Sequence, residues 1–264
     1  MKKYFQIIKS TWEEYMTYRL NFVLWRVRVV LGILVTYFLW WAIFSGRGEF
    51  FGYSQSMILT YIILSNIVRT VVLGTTTMEI GGIINQGDLS NFLIRPLSFL
   101  RYYIARDTGD KLLNLAFSIV EIPLMIIILK PQIFFQTNPL TLFLALSAMG
   151  MGMILYFFFS LTLGYIGFWS PDVWAPRFIS FVVMEFFSGG LFPIDILPTP
   201  LYIASISLPF SYFIYFPLKV YLGQLSTPEL FGGFVVGTAW MFGFYFMAQT
   251  LWRRGLKVYT AQGR

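Results

Sequence analysis

Two carboxylates stand where a carboxylate is expensive. Glu121 and Glu185 interrupt long apolar runs, and an acid in hydrocarbon needs a partner charge, a water-filled cavity or a raised pKa. Each could recognise a cationic substrate or carry a proton. Each could equally bind an arginine or a backbone amide of a neighbouring helix, and the sequence leaves both readings open. Little else in the chain can do chemistry. It contains no cysteine and no histidine, which excludes disulfide frameworks, thiolate and imidazole metal sites, and Ser-His or Cys-His dyads. None of its lysines follows a glycine, so it has no G-x-x-x-x-G-K-[ST] loop to cradle a nucleotide phosphate. An aspartyl intramembrane protease would need two facing aspartates within spans, whereas only Asp195 lies near the outer half. The chain is therefore read as non-catalytic, with no metal or cofactor of its own.

What remains for binding is aromatic. Phe157, Phe158, Phe159, Phe186, Phe187, Phe192, Tyr212, Phe213 and Tyr215 offer faces for bulky apolar or cationic compounds, although such residues also serve as core and as lipid-facing surface. Glu121, Glu185, Phe187, Phe192, Pro193 and Tyr212 are the candidates for a substrate path or gate.

The elements that must position them are dictated by composition. With 57% hydrophobic and 12% charged residues, the chain is a polytopic membrane protein rather than a soluble globule. At about 20 apolar residues per crossing, it has room for six transmembrane helices and no separate soluble domain. The spans are expected at 22–44, 56–74, 109–129, 140–168, 178–191 and 230–251. The net charge of +7 could suggest a polyanion, but its distribution is sided. With both termini and the loop at 79–96 in the cytosol, all of the lysines and arginines except Arg47, Lys130 and Lys219 lie at or near that side. That is the positive-inside pattern of a multi-pass protein, and it argues against nucleic acid as a partner.

Residues 4–19 form a predicted interfacial helix. Phe5, Ile8, Trp12 and Tyr15 recur on one face, with Gln6, Lys9, Glu13 and Thr17 on another, so the arm either anchors in the headgroup zone or also touches a cytosolic partner. Glu13, Glu14 and Arg19 interrupt any apolar signal core. Arg26, Arg28 and Arg69 stand close enough to span ends to snorkel. Gly150, Gly152, Gly164 and Gly167, and the pair Gly233 and Gly237, would permit close helix approach. Five prolines between Pro193 and Pro217 forbid an uninterrupted helix, so a broken hairpin at 196–222 is expected to dip back into the bilayer from the outer side.

The stretch 79–96 is the one place where charge, turn residues and a short amphipathic pattern fall together. Ile80, Ile83 and Ile84 share a helical face, Gly87-Asp88 breaks it, Leu89, Phe92 and Leu93 resume it, and Pro96 stops it. It reads either as a plain interfacial loop or as an elbow on which a soluble partner can press, with Glu79, Asp88 and Arg95 supplying charge beside an apolar ridge.

Gly87-Asp-Leu-Ser-Asn-Phe-Leu-Ile-Arg-Pro96 on one side, and Ser188-Gly-Gly with Pro193, Pro198 and Leu208-Pro209 on the other, follow each other in an order that resembles the ABC-2 type permeases, the membrane subunits of bacterial ABC exporters. The likeness covers nearly the whole chain and is nearest to short forms that work as paired permeases with a separate ATPase. It implies a coupling helix at 79–93, with Glu79, Ile83, Ile84, Gly87, Asp88, Leu89, Phe92, Arg95 and Pro96 at the ATPase contact and Phe5, Ile8, Trp12 and Tyr15 alongside. It further implies a cytosolic ATPase dimer that binds ATP and Mg, a second permease chain, identical or more often different, and residence in the bacterial inner membrane. The aromatic residues would favour drugs, dyes or peptides as cargo, whereas sister subfamilies move polysaccharides and lipids, and the sequence leaves the cargo open. An ion-coupled secondary transporter would show inverted repeats, which are absent. A channel or scaffold would need no nucleotide.

Overall fold

The computed structural model describes residues 2–45 and 49–260. The expected turn around Arg47 and the basic Arg264 lie outside the described residues. The architecture is all-α, with eleven α-helices among the described residues and one two-residue β-hairpin.

Five helices are long and apolar enough to cross a membrane: α2 (Arg19–Phe44), α3 (Gln55–Leu73), α6 (Phe99–Leu129), α7 (Pro139–Tyr165, continued by a 3-10 turn to Phe168) and α11 (Thr227–Val258). The first shows why hydropathy alone identifies them. Only Phe22, Arg26, Ile33, Tyr37, Trp40 and Phe44 are buried, a stripe at helical spacing, while Leu24, Leu31, Val35 and Leu39 on the other faces are apolar and exposed. A helix that is greasy all round in this way has lipid for solvent. Ser54 caps α3 by accepting from the Met57 amide, Asn138 caps α7, and a Ser226–Glu229 capping box opens α11. The helix α6 continues through Pro123 and begins ten residues before the expected span.

The elements depart from expectation at the fifth expected span, 178–191, which is not among these five helices. Helix α8 (Trp174–Phe187) has 14 residues, roughly 21 Å of rise, against a hydrocarbon core of about 30 Å. The chain continues as an irregular segment that runs along α3. Glu185 lies against Arg69, Gly189 against Tyr61 and Asp195 against Tyr53, so residues 185–195 follow most of the length of that helix. Open backbone at such depth must be satisfied by protein. Tyr61 Oη donates to the Gly189 carbonyl at 2.6 Å, Trp40 Nε1 to Leu191 at 3.1 Å, and the Tyr215 amide to Ser188 at 2.9 Å. Gly189 sits at φ +80°, where a Cβ would stand 2.7 Å from both the Tyr61 hydroxyl and the Tyr215 Cβ, so only glycine fits.

The broken hairpin consists of α9 (Thr199–Ser207), a 3-10 turn at Pro209–Tyr212 and α10 (Tyr215–Leu222). Its second limb is buried almost throughout, with Phe213 and Ile214 fully enclosed between α3 and α7. Gly152 of α7 admits it, since a Cβ there would lie 2.7 Å from the Tyr212 carbonyl. Gly233 and Gly237 serve the same packing from α11, the first under Phe216 and the second under Met151 and Tyr212; Gly150, by contrast, faces open space.

The N-terminal helix α1 (Lys2–Thr17) is packed on α6 rather than merely resting on lipid. Trp12 Nε1 donates to the Gly109 carbonyl at 2.7 Å and Tyr15 Oη to Asp110 Oδ1 at 2.6 Å. A Cβ on Gly109 would meet the Ile8 carbonyl at 3.2 Å, which explains a glycine here in mid-helix. Burial, and then the neighbouring Asp110, push the Tyr15 phenol well above its ordinary pKa, so it stays a donor.

Candidate functional site

The site is the linker between α3 and α6, at the end of the bundle that carries most of the basic residues. The last carbonyls of α3 have no helical partners, and the Lys111 ammonium of α6 takes two of them, Val71 at 3.1 Å and Gly74. Lys111 is held in turn by Asp107, one turn away at 3.3 Å, and Asp107 accepts from the Thr76 amide. The chain therefore leaves α3 already fastened to α6.

A 3-10 turn (Thr76–Glu79) leads into α4 (Ile80–Asn85) and, after a bend at Gly87, into α5 (Leu89–Leu93). Gly87 has φ +82°, a left-handed conformation that explains why the predicted 79–93 helix is two short ones. Glu79 accepts from Tyr103 Oη at 3.0 Å and pairs with Arg106 at 2.9 Å, and Arg106 also reaches Glu14 of α1 at 3.0 Å. Arm, elbow and α6 thus meet at one guanidinium.

The middle of the elbow is seated on the turn between α7 and α8. A Cβ on Gly81 would stand 2.8 Å from Val173, and one on Gly167 would stand 2.9 Å from the Gly81 carbonyl, so the two backbones touch because both residues lack side chains. Asn85 Nδ2 donates to the Pro171 carbonyl at 2.8 Å. Arg177 of α8 donates to the Thr77 carbonyl at 3.1 Å and to Ser160 of α7 at 3.3 Å. The exit is held by α11: Tyr259 Oη donates to the Gly87 carbonyl at 2.6 Å and accepts from the Ser90 amide at 3.1 Å. Leu89 is fully buried in a cluster with Ile80, Ile84, Phe99, Tyr103 and Phe168.

This corrects the picture of an apolar ridge offered outward. Ile84 and Leu89 point into the protein's own core, Ile83 and Phe92 are half-buried, and Gly87 is enclosed. The outer face carries Gly82, Gln86, Asp88 and Asn91, with Leu93, Ile94, Arg95 and Pro96 beyond them. Asp88 and Arg95 do not pair: Asp88 accepts from Asn91 at 3.3 Å, and the Arg95 guanidinium lies 5.2 Å from the Phe92 ring centroid. Of the arm, Trp12 and Tyr15 bind α6, Ile8 packs beside Gly109, and Phe5 is exposed. The braces Tyr103, Arg106, Lys111, Arg177 and Tyr259 carried no local signal, because each lies 24 or more positions from the residue it holds, whereas the close approach expected at Gly167 is made, onto the elbow backbone at Gly81.

A family model described as "ABC-2 family transporter protein" matches residues 30–263. The chain belongs to this family. No curated protein matches it in sequence. The chain is thus a membrane permease of ABC-2 type, a membrane transport component.

Both intramembrane acids of this ABC-2 permease are occupied by arginine. Arg26 of α2 grips Glu121 of α6 with two nitrogens, Nε at 2.6 Å and Nη2, while its Nη1 donates to Asn114. Arg69 of α3 forks onto Glu185 of α8 end-on, with Nη1 at 2.7 Å and Nη2 at 2.8 Å. Neither arginine snorkels; each is drawn inward because a bidentate pair offsets the desolvation of both charges. At the opposite end Lys219 of α10 donates to Asp195 at 2.7 Å and to Tyr53 at 3.0 Å, and Tyr53 donates to Asp195. Burial, and then Asp195, keep the Tyr53 phenol far above its ordinary pKa.

The remaining path candidates do not converge on one chamber. Phe192 packs half-buried on the core, Pro193 is buried, Phe187 ends α8, and Tyr212 donates to the Ile206 carbonyl at 2.7 Å. Tyr212 alone of them lines a cavity of about 440 Å³ between the hairpin and α11, shared with Tyr202, Tyr215, Phe216 and Glu229.

Proposed function

We propose that this permease is the membrane-spanning subunit of an ATP-driven exporter, and that the elbow at 76–96 is where a cytosolic ATPase dimer applies its stroke. ATP and Mg belong to that partner. A second permease chain completes the path, the basic end faces the cytosol of a bacterial inner membrane, and the hairpin at 196–222 with Phe192, Pro193 and Tyr212 forms the outer gate.

The observation that carries this reading is the way the elbow is built. A loop that only connected two spans would need no seat, yet this one is bound to α6 through Glu79, to the α7–α8 turn through Gly81 and Asn85, and to α11 through Tyr259, while Gln86, Asp88 and Asn91 stay exposed at its tip. A rigid body with a small polar tip suits mechanical contact with another rigid body. Two acids already paired with arginine also give less support to proton-coupled transport than to a driven machine.

The deciding experiment is co-purification of the chain with a soluble nucleotide-binding subunit, followed by transport and ATPase assays of Gly87→Val and Asp88→Lys. Loss of transport with ATP hydrolysis retained is expected. Full transport by both variants, or cargo movement without a nucleotide-consuming partner, would overturn the assignment.

A further inference from the structure

Beside the elbow's exit is a groove walled in part by the elbow itself. It has a volume of about 360 Å³ and lies between the start of α6 and the ends of α7 and α11, lined by Phe92, Phe99, Leu100, Tyr165, Gln249 and Trp252 among others. That volume falls within the range of about 300–1,000 Å³ usual for sites that hold small molecules. Its walls are aromatic and aliphatic, with Trp252 stacked on Phe99 at 4.7 Å and Phe92 edge-on to Phe99 at 5.6 Å. Such rings mark the headgroup depth of a bilayer.

Three exposed arginines neighbour residues of this lining. Arg95 lies over the Phe92 ring, exposed Arg101 follows Leu100, and exposed Arg253 follows Trp252 and stands one helical turn beyond Gln249. None of the three forms an ion pair among the described residues. We infer that the groove binds an anionic phospholipid, with an acyl chain against Phe92, Phe99 and Trp252 and the phosphate held by Arg95, Arg101 and Arg253. The aromatic wall suits an acyl chain, and the Arg95 guanidinium over Phe92, with Arg101 and Arg253 next along the helices to lining residues, supplies charge suited to phosphate. Because Phe92 belongs to the elbow, the bound lipid would touch the segment that joins α3 to α6.

The test is Trp252 fluorescence of the purified full chain, quenched by brominated phosphatidylglycerol or brominated phosphatidylcholine, with the Trp252→Phe protein subtracted as background. Phosphatidylglycerol should quench the Trp252 signal at lower mole fraction, and Arg95→Gln, Arg101→Gln and Arg253→Gln should each weaken that preference by about fivefold. Raising salt should erode the phosphatidylglycerol preference of the same Trp252 signal and leave phosphatidylcholine unchanged, a readout that does not depend on the arginine variants folding. Equal quenching by the two lipids, or no Trp252-dependent quenching, would overturn the inference. So would Trp252 shielding from both lipids that appears only with a nucleotide-binding subunit, which would give the groove to a protein segment. The quenching and salt measurements on the chain alone do not depend on whether the elbow couples to an ATPase.

Discussion

The hydroxyl of Tyr259, at the end of α11, donates to the carbonyl of Gly87 at 2.6 Å across 172 positions of sequence. The same oxygen accepts from the Ser90 amide, so one phenol ties the bend at Gly87 to the first turn of α5. Tyr259→Phe removes both bonds and keeps the ring. The expected cost is about 1 kcal/mol of local stability, read as roughly fivefold faster amide exchange over residues 86–92 with the spans unaffected.

Gly87 and Gly82 make a matched pair of probes in the same elbow. Gly87 has φ +82°, whereas Gly82 has ordinary helical backbone and no atom within reach of an added Cβ. Gly87→Val should lower stability by about 1–2 kcal/mol and abolish coupled transport. Gly82→Ala should be neutral or slightly stabilising in the same thermal melts.

The two arginine–glutamate forks differ in exposure, and their loss should differ accordingly. The Arg26 and Glu121 side chains are 8% and 19% exposed, against 26% and 22% for Arg69 and Glu185. Glu121→Gln should cost about 3 kcal/mol, and Glu185→Gln nearer ~2 kcal/mol after discounting for solvent. The double change Arg26→Leu with Glu121→Leu should recover much of the first loss, measured as detergent-phase melting, because no unpaired charge is left behind.

Gly189→Ala should be among the most damaging single-methyl changes in the chain. Its Cβ would meet Tyr61 and Tyr215 at 2.7 Å from a backbone that already has positive φ. A loss of about 2–4 kcal/mol is expected, with Tyr61→Phe showing a smaller effect of about 1 kcal/mol through the freed Gly189 carbonyl.

Sidedness can be tested on a clean background, since the chain has no cysteine. A single cysteine at exposed Asp88 should label only from the cytosol and one at exposed Thr199 only from the opposite face. Labelling of both from the same side would invert the proposed orientation.

The membrane class, the five long helices and the position of the elbow could be read from composition and hydropathy, because lipid as solvent imposes a long, simple pattern. The amphipathic run around Ile80, Ile84 and Leu89 was legible too, but not which way it faced. Periodicity marks a buried face without saying whether the cover is the chain itself or another molecule, and here Phe99, Tyr103 and Phe168 supply it. The arginine partners of Glu121 and Glu185 lie 95 and 116 positions away, beyond any local rule. At the fifth expected span an apolar run long enough to suggest a crossing hid a 14-residue helix continued by open chain, since hydropathy records what lipid tolerates and not how the backbone hydrogen bonds are made.

The three fastenings of the elbow have a mechanical meaning. A lever held at one foot pivots when its free end is pressed, and the motion dies in the hinge. Fixed at Glu79, Asn85 and Gly87 to three separate helices or their connecting turn, this segment is instead the apex of a tripod. Thrust arriving there is shared among its legs in the same instant, and the legs must shift together or not at all.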